Sequence, residues 1–191
     1  MLSALETSFL LDRRWHLLRG EMEQSKKPAL YLLAKVLAEA RTPYAIIGGI
    51  AVQVHQAEPR TTLDIDVAVL DRSALPRELL QSAGFKMTGQ FEHSENWLGP
   101  DSTPVQFTDD AQLRDAVGRA EGIPLEDVSL RIIRAGDLLR AKLRAAADSA
   151  RRKSKRLQDL ADAEALVEKE PALQETLTPQ ERAQLERLFE P

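Results

Sequence analysis

Residues 44–70 decide the fold, and they read YAIIGGIAVQVHQAEPRTTLDIDVAVL. The apolar run 44–47 predicts a short buried strand, which Gly48-Gly49 ends, and residues 50–57 are typical of a short helix. Over residues 63–70 hydrophobic side chains fall on alternate positions, which is the period of a strand. The predicted order is therefore strand, glycine turn, helix, strand.

Two carboxylates on the second strand are the chemically informative residues. Asp64 and Asp66 lie two positions apart, so their side chains point to the same face of the strand. Neighbouring negative charges repel each other, which gives a purely structural protein little reason to place them there. Hard oxygen ligands of this kind favour Mg²⁺ or Mn²⁺. We therefore predict that Asp64 and Asp66 bind one of these ions.

The glycine turn and the residues before Asp64 complete a phosphate-binding pattern. Gly48 and Gly49 carry no side chain, so a phosphate can approach the backbone N–H groups and the start of the following helix. Arg60 can add a charge-assisted contact and Thr62 a hydroxyl contact. These parts together suit phosphoryl-type transfer from a nucleoside triphosphate, such as ATP. Alone, the glycine pair indicates only a turn and the Asp-x-Asp pair only a solvated strand edge.

The rest of the chain alternates helices and strands, so we predict an α/β fold with a small mixed β-sheet core, flanking helices and a helical C-terminal part. The expected division is 1–43 for N-terminal helices, 44–135 for the core and 136–191 for the C-terminal helices, within one compact unit. Periodicity and capping signals predict helices at 4–24, 28–40, 73–83, 110–121, 137–168 (one or two helices) and 179–189, and strands at 85–91, 103–108 and 128–133. The stretch between the first two of these strands, which contains residues 96–100, is predicted to be a hairpin or an irregular loop.

Composition limits the protein class. A length of 191 residues suits one domain with helical extensions, and the absence of cysteine excludes disulfides, thiolate zinc sites and cysteine nucleophiles. The N-terminal residues lack a signal-peptide pattern, and no apolar run approaches the ~20 residues that span a bilayer. We therefore expect a cytoplasmic protein without a membrane partner.

The motif resembles a known superfamily. A Gly-Gly turn followed by Arg60-Thr61-Thr62-Leu63-Asp64-Ile65-Asp66 is similar to the signature of the DNA polymerase β-like nucleotidyltransferases. It looks most like their AbiEii-type branch, the toxins of type IV toxin–antitoxin systems and their relatives. The resemblance extends over residues 44–168 and implies transfer of a nucleoside monophosphate, an RNA acceptor such as the tRNA 3′ end, and a cognate antitoxin protein.

A helical motif further along the chain is similar to the same branch. Residues 137–145 read DLLRAKLRA, and residues 157–162 read LQDLAD. The resemblance implies that Lys142 and Asp159 complete the active site. Lys142 would neutralise phosphate charge. Asp159 could position Lys142 or serve as a base for the acceptor hydroxyl, although an ordinary helix-surface pair with Lys155 is an alternative.

The predicted strand 103–108 departs from this pattern. Many nucleotidyltransferases supply a third metal-binding carboxylate from this strand, whereas this chain has Gln106, a neutral residue and a poor base. Three alternatives follow: Asp159 takes that role, Asp109 or Asp110 is the true equivalent, or the protein is weakly active or inactive.

A cation cluster in this acidic chain provides the last functional clue. Residues 151–156 read RRKSKR, in a protein with a net charge of −4. The run is either a solvated helix face or a phosphate-facing surface, and in the second case Arg151, Arg152, Lys153, Lys155 and Arg156 would follow an RNA backbone with strong salt dependence. Two other functions stay open: a non-catalytic module that binds a nucleotide or a partner, and an enzyme with a small-molecule acceptor such as an aminoglycoside.

Overall fold

The computed structural model describes residues 3–20, 24–59 and 61–186 of the chain. Within these ranges, one mixed sheet of seven strands is surrounded by eight α-helices. The helices are α1 (Ala4–Leu18), α2 (Lys27–Glu39), α3 (Gly48–His55), α4 (Arg77–Ser82), α5 (Arg114–Arg119), α6 (Ala135–Ala147), α7 (Lys153–Lys169) and α8 (Pro179–Glu186). The strands are β1 (Tyr44–Ile47), β2 (Ile65–Val69), β3 (Lys86–Gln90), β4 (Glu95–Leu98), β5 (Pro104–Thr108), β6 (Glu121–Leu125) and β7 (Val128–Ile132).

The order of strands across the sheet is β3-β4-β5-β2-β1-β7-β6. Strand β2 runs antiparallel to β1 and parallel to β5, while β4 runs antiparallel to β5. The register pairs Asp66 with Ile47 on one side and with Gln106 on the other, and Gln106 pairs in turn with Asn96. One row of the central sheet therefore contains Asp66, Gln106 and Asn96 side by side.

The core explains why β2 can carry two carboxylates. Ile65 and Val67 are fully buried and Val69 is 2% exposed, so the alternate positions of the strand hold it in the core. Helix α2 contributes the stripe Leu30 and Leu33, which is also fully buried. Buried side chains from α1 to α8 form one continuous cluster, which confirms the predicted α/β fold with its helical C-terminal part.

Helices α6 and α7 pack against each other, and both contact α3, the helix that begins at the glycine turn. Residues from the C-terminal part of the chain therefore lie directly beside the start of α3.

Helix α1 also contacts α3. A buried ion pair connects α1 with the start of α2, since Nζ of Lys26 lies 2.5 Å from Oδ2 of Asp12. The described helices include none that is long and apolar enough to cross a membrane.

Several helix predictions need correction. Helix α1 ends at Leu18 rather than continuing to residue 24, and residues 21–23 lie outside the described ranges. Gly48 and Gly49 form the first turn of α3 instead of a separate turn before it. The predicted helix 73–83 is a 3-10 turn followed by α4, because Pro76 interrupts it.

The last part of the predicted helix 110–121 is wrong, since residue 121 begins β6. The prediction of one or two helices at 137–168 corresponds to two, α6 and α7, which are separated by residues 148–152. Helix α8 has the predicted capping box, in which Thr178 and Glu181 exchange hydrogen bonds of 2.8 and 3.3 Å. The predicted end of this helix, residues 187–189, lies outside the described ranges.

Two strands differ from the predictions. Residues 95–98 form β4, a separate strand within the stretch between 91 and 103. Because β4 pairs antiparallel with β3 and with β5, the hairpin alternative is confirmed and the irregular loop is wrong. The sequence does not indicate this strand, because the strand begins with a charged residue, Glu95. Glu95 is nevertheless fully buried, since Arg77 and Trp97 donate hydrogen bonds to its carboxylate. Strand β6 has no signal in the sequence, because it contains Gly122 and Pro124, and such residues are tolerated mainly at sheet edges.

Candidate active site

The glycine turn is shaped by two close approaches. Gly48 has a φ of +60°, and a Cβ atom there would lie 1.9 Å from Oδ2 of Asp66. A Cβ atom on Gly49 would lie 2.4 Å from Oγ1 of Thr62. The two glycines are therefore required to seat Asp66 and Thr62 against the start of α3, in addition to any contact with a phosphate.

The acidic pair lies at the start of β2. Asp64 is exposed, and Oδ1 of its carboxylate accepts a 2.8 Å hydrogen bond from the hydroxyl of Thr62. The hydroxyl of Thr62, predicted to contact the nucleotide, thus orients Asp64. Burial, together with the negative charge of Asp64, raises the pKa of Asp66 to about 6. A cation bound between the two carboxylates would relieve this repulsion.

Lys142 on α6 faces the acidic pair and is held by two carboxylates of α7. Its Nζ atom lies 2.9 Å from Oδ1 of Asp159 and 2.7 Å from Oδ2 of Asp162. The second oxygen of Asp159 accepts a 2.8 Å hydrogen bond from Nε of Arg151. Asp159 therefore contacts Lys142 and Arg151, which is the geometry expected of a group that positions Lys142. Its role as a base for the acceptor hydroxyl stays a prediction.

These groups meet in a cleft of about 870 Å³ between the sheet and the C-terminal helices. Its floor consists of small and acidic residues with one amide, namely Gly48, Gly49, Thr62, Asp64, Asp66 and Gln106. One wall, on α6 and α7 and the loop between them, carries Lys142, Arg144, Arg151, Arg152, Lys155, Asp159 and Asp162. The opposite wall is formed by polar residues at the ends of β4 and β5, which include His93, Ser94, Thr108, Asp110 and Gln112.

The cation run at 151–156 is divided by the start of α7. Arg151, Arg152 and Lys155 line the cleft. Arg156 instead donates a 2.8 Å hydrogen bond to the carbonyl of Ala146, and Lys153 is exposed. The run thus contributes mainly to one wall of the cleft, and its predicted contact with RNA stays a prediction.

The structure also brings residues to the cleft that the sequence did not single out. Arg144 and Asp162 lie one helical turn or less from Lys142 and Asp159, respectively. Helical spacing could have indicated Asp162, which is three positions after Asp159, but not Arg144, which is two positions after Lys142. Only the packing of α6 against α7 determines that both residues line the same cleft. Arg60, predicted to contact phosphate, lies outside the described residues.

The sequence left three acidic residues as alternatives to Gln106. Gln106 lies directly beside Asp66 in the parallel register of β2 and β5. Asp109 is bound by Arg72 at 2.7 Å, and Asp110 accepts a hydrogen bond from the backbone N–H of Gln112. Asp159 belongs to the opposite wall with Lys142. Gln106 therefore occupies the position next to Asp66 that the resemblance assigns to a third carboxylate.

Solved structures with the same architecture support this interpretation of the fold. An antigenic nucleotidyltransferase-like protein from Paracoccidioides brasiliensis aligns with a TM-score of 0.59 and 21% identity, over 85% of this chain and 86% of that one. ANT(2″)-Ia in complex with adenylyl-2″-tobramycin aligns with a TM-score of 0.56 and 13% identity, over 86% and 99%. JHP933 from Helicobacter pylori aligns with a TM-score of 0.52 and 16% identity, over 83% and 70%.

The chain has the nucleotidyltransferase fold. No protein-family model matches the sequence, and no curated protein matches it. At these identities the likeness concerns the fold alone.

Two carboxylates on the cleft floor are of the chemical type that binds a divalent ion. The carboxylates of Asp64 and Asp66 are hard oxygen ligands, which suit Mg²⁺ or Mn²⁺. Within the described ranges, no three histidine, aspartate or glutamate side chains gather into a complete metal cage. The residues present therefore fit an ion that is shared with a bound triphosphate, since the phosphate oxygens would supply the remaining ligands.

Proposed function

We propose that this protein transfers a nucleoside monophosphate from a nucleoside triphosphate to a hydroxyl group of an acceptor. The observation that carries the proposal is the convergence of Asp64, Asp66 and Lys142 on one cleft beside the glycine turn. Two distant parts of the chain, residues 48–66 and helix α6, supply these groups, so their meeting depends on the packing of α6 beside the sheet.

The cationic wall suits the triphosphate. Lys142 is only 12% exposed and its Nζ atom is fixed by Asp159 and Asp162, so it offers a positioned charge. Arg144, Arg152 and Lys155 extend the wall toward solvent. A Mg²⁺ ion on Asp64 and Asp66 would neutralise part of the phosphate charge.

In the reaction, the acceptor oxygen forms a bond to the α-phosphorus as the bond to the β-phosphate breaks. Pyrophosphate leaves along the cationic wall, and the hydroxyl proton passes to water. The acceptor would enter from the opposite wall, where His93, Ser94 and Asp110 line the cleft.

RNA, and the tRNA 3′ end in particular, is the acceptor class that we propose first, with the activity belonging to the toxin of a type IV toxin–antitoxin pair. The support is the resemblance to the AbiEii-type branch and the exposed cations around Arg152 and Lys153, which can bind a polyanion. A small hydroxyl acceptor is the alternative, because ANT(2″)-Ia is described with adenylyl-2″-tobramycin. The wall with Ser94 and Asp110 favours this alternative, since no lysine or arginine among the described residues lines it.

A second candidate function is nucleotide binding without transfer. The observation that favours it is Gln106, which places a neutral amide next to Asp66 instead of a third carboxylate. Such a protein would bind metal and nucleotide as a sensor or partner-binding module.

Label transfer tests these proposals. The protein is incubated with each of four α-³²P nucleoside triphosphates, with Mg²⁺ or Mn²⁺, and with either total RNA or a small-molecule extract from cells. Transfer to RNA supports the toxin-like activity, and transfer to the extract supports a small acceptor. The Asp64→Asn/Asp66→Asn double variant should lose transfer, whereas Asp115→Asn, at an exposed position on α5, should retain it.

Binding separates the two candidate functions. If neither fraction is labelled, a metal-dependent increase in the melting temperature with nucleoside triphosphate supports the binding module. No transfer and no binding, with the protein folded, would contradict both.

A further inference from the structure

We propose that the cleft binds a single divalent ion with the nucleotide, because Gln106 and Asn96 form a neutral pair in the row of the sheet that contains Asp66. This inference rests on the proposed function and specifies the metal stoichiometry of the same site. It concerns residues on three neighbouring strands.

The register determines which side chains can share an ion with Asp66. Asp66 on β2 pairs with Gln106 on β5, and Gln106 pairs with Asn96 on β4. Paired residues of neighbouring strands project to the same face. A second ion on the acceptor side of Asp66 would therefore need ligands from Gln106 or Asn96.

Gln106 is oriented by its neighbour. Its Nε2 atom donates a 3.3 Å hydrogen bond to Oδ1 of Asn96, which leaves the amide oxygen of Gln106 available to the cleft. That oxygen is a weaker ligand than a carboxylate because it is uncharged. Both side-chain amides, of Gln106 and of Asn96, are uncharged. This part of the cleft floor is therefore neutral whichever of the two amides donates the hydrogen bond.

The other carboxylates of the cleft are engaged elsewhere. Asp159 and Asp162 hold Lys142, and Asp159 also accepts from Arg151. Asp110 and Asp148 accept hydrogen bonds from the backbone N–H groups of Gln112 and Ala150, respectively. The cleft floor thus provides the two negative charges of Asp64 and Asp66, and no third among the described residues that form it.

Charge balance then decides the number of ions. One divalent ion neutralises the two carboxylates and takes its remaining anionic ligands from the triphosphate. A second ion about 4 Å away on the acceptor side would be repelled by the first, and the only further protein ligands that this row of the sheet offers it are the uncharged amides of Gln106 and Asn96. The acceptor hydroxyl would consequently meet the amide oxygen of Gln106, which accepts its hydrogen bond but does not remove its proton.

Counting bound Mn²⁺ tests this inference. The full chain is saturated with the non-transferable analogue α,β-methylene ATP, or the corresponding GTP analogue, and bound Mn²⁺ is measured from the loss of the free-ion signal in electron paramagnetic resonance. Wild type should bind one ion per ternary complex. Gln106→Glu, which keeps the side-chain size and adds a charge, should bind two.

The matched control is Gln112→Glu, which makes the same chemical change on the rim of the cleft outside the row of Asp66. It should bind one ion, like wild type. Two ions in wild type, or one ion in Gln106→Glu, would overturn the inference while leaving the proposed function intact. No nucleotide-dependent Mn²⁺ in any variant would overturn both.

Discussion

The backbone conformation of Gly48 determines where the carboxylate of Asp66 can lie. Its backbone has a φ of +60°, and its missing Cβ provides the space for Oδ2 of Asp66. An L-residue in this conformation costs about 1–2 kcal/mol, and a collision with a carboxylate adds to that cost. A glycine that looks like a simple turn in the sequence is thus part of the acidic site.

Gly48→Ala should lower the free energy of unfolding by about 2–4 kcal/mol, the sum of backbone strain and a steric clash. Gly20→Ala is the matched control: Gly20 has a φ of +72°, but no atom of the described residues lies within 4 Å of the position that its Cβ would take. It should cost only about 1 kcal/mol. Urea unfolding measures both variants, and equal losses would contradict the role of the close approach.

The raised pKa of Asp66 predicts that the stability of the protein depends on pH. Its pKa is raised to about 6, so the folded state binds the proton more tightly than the unfolded chain, in which the pKa is near 4. The ionised carboxylate therefore destabilises the fold above pH 6, and this penalty disappears as the pH falls through 6 toward 4. Asp66→Asn should stabilise the metal-free protein at pH 8 by at most about 3 kcal/mol and should lose this advantage near pH 4.

The measurement is urea unfolding in EDTA at pH 4, 6 and 8. Asp115→Asn, at an exposed position outside the cleft, should show no comparable gain. An Asp66→Asn variant that is less stable than wild type at pH 8 would contradict a destabilising effect of the buried Asp66 carboxylate.

At the scale of elements, α6 and α7 are joined by charge inside the cleft. Lys142 of α6 lies within 3 Å of both Asp159 and Asp162 of α7, and the two carboxylates are nearly buried. Removing one partner of such a group leaves buried charges without compensation, which is costly. The same contacts that position Lys142 therefore also hold the two helices together.

Lys142→Met should lower stability by about 3–5 kcal/mol because the buried carboxylates of Asp159 and Asp162 lose the ammonium group that they share. The triple variant Lys142→Met/Asp159→Asn/Asp162→Asn should recover much of this loss without recovering nucleotide binding. Lys155→Met, at an exposed position in the same cleft, should weaken nucleotide binding with little change in stability. Thermal unfolding and nucleotide titration, performed on the same samples, separate the two effects.

The elements also show which parts of the fold were predictable from the sequence. Strands β1, β2 and β5 follow from hydrophobic periodicity, because each buries its apolar side chains in the core. Strand β4 is hidden because it begins with Glu95, whose burial depends on Arg77, a partner 18 residues earlier in the chain, and on the indole of Trp97. A single sequence does not reveal such compensation.

Part of the candidate site was likewise predictable from the sequence, and part of it was not. The acidic pair and the glycine turn lie within one short segment, so their proximity follows from local order. The position of Asp162 and Arg144 depends on the packing of α6 against α7, and the pairing of Gln106 with Asn96 depends on the register of β4 and β5. These are tertiary relations that periodicity alone does not determine.

At the scale of the whole molecule, one hydrophobic core connects the sheet with the C-terminal helices. Leu138, Leu139 and Leu143 of α6 and Leu166 of α7 are at most 1% exposed and belong to the same cluster as the strands. Separating residues 136–191 from the sheet would therefore expose a large apolar area.

Residues 1–135 expressed alone should lack a cooperative unfolding transition, whereas the full chain should unfold in a single step. Residues 1–177, which lack α8, should retain a cooperative but less stable fold, because Leu185 is the one buried residue within the described part of α8. Circular dichroism during urea titration distinguishes these cases. Cooperative unfolding of 1–135 would show that the C-terminal helices form a separate unit.

The cleft contains residues that are far apart in the chain, and this has a consequence for the timing of synthesis. Asp64 and Asp66 leave the ribosome long before Lys142, Asp159 and Asp162, and the cationic wall exists only after α6 and α7 have packed. A growing chain therefore carries the acidic half of the cleft without its cationic half. If the protein transfers nucleotides to cellular RNA, each copy is inert beside the ribosome's own RNA until its C-terminal helices have folded.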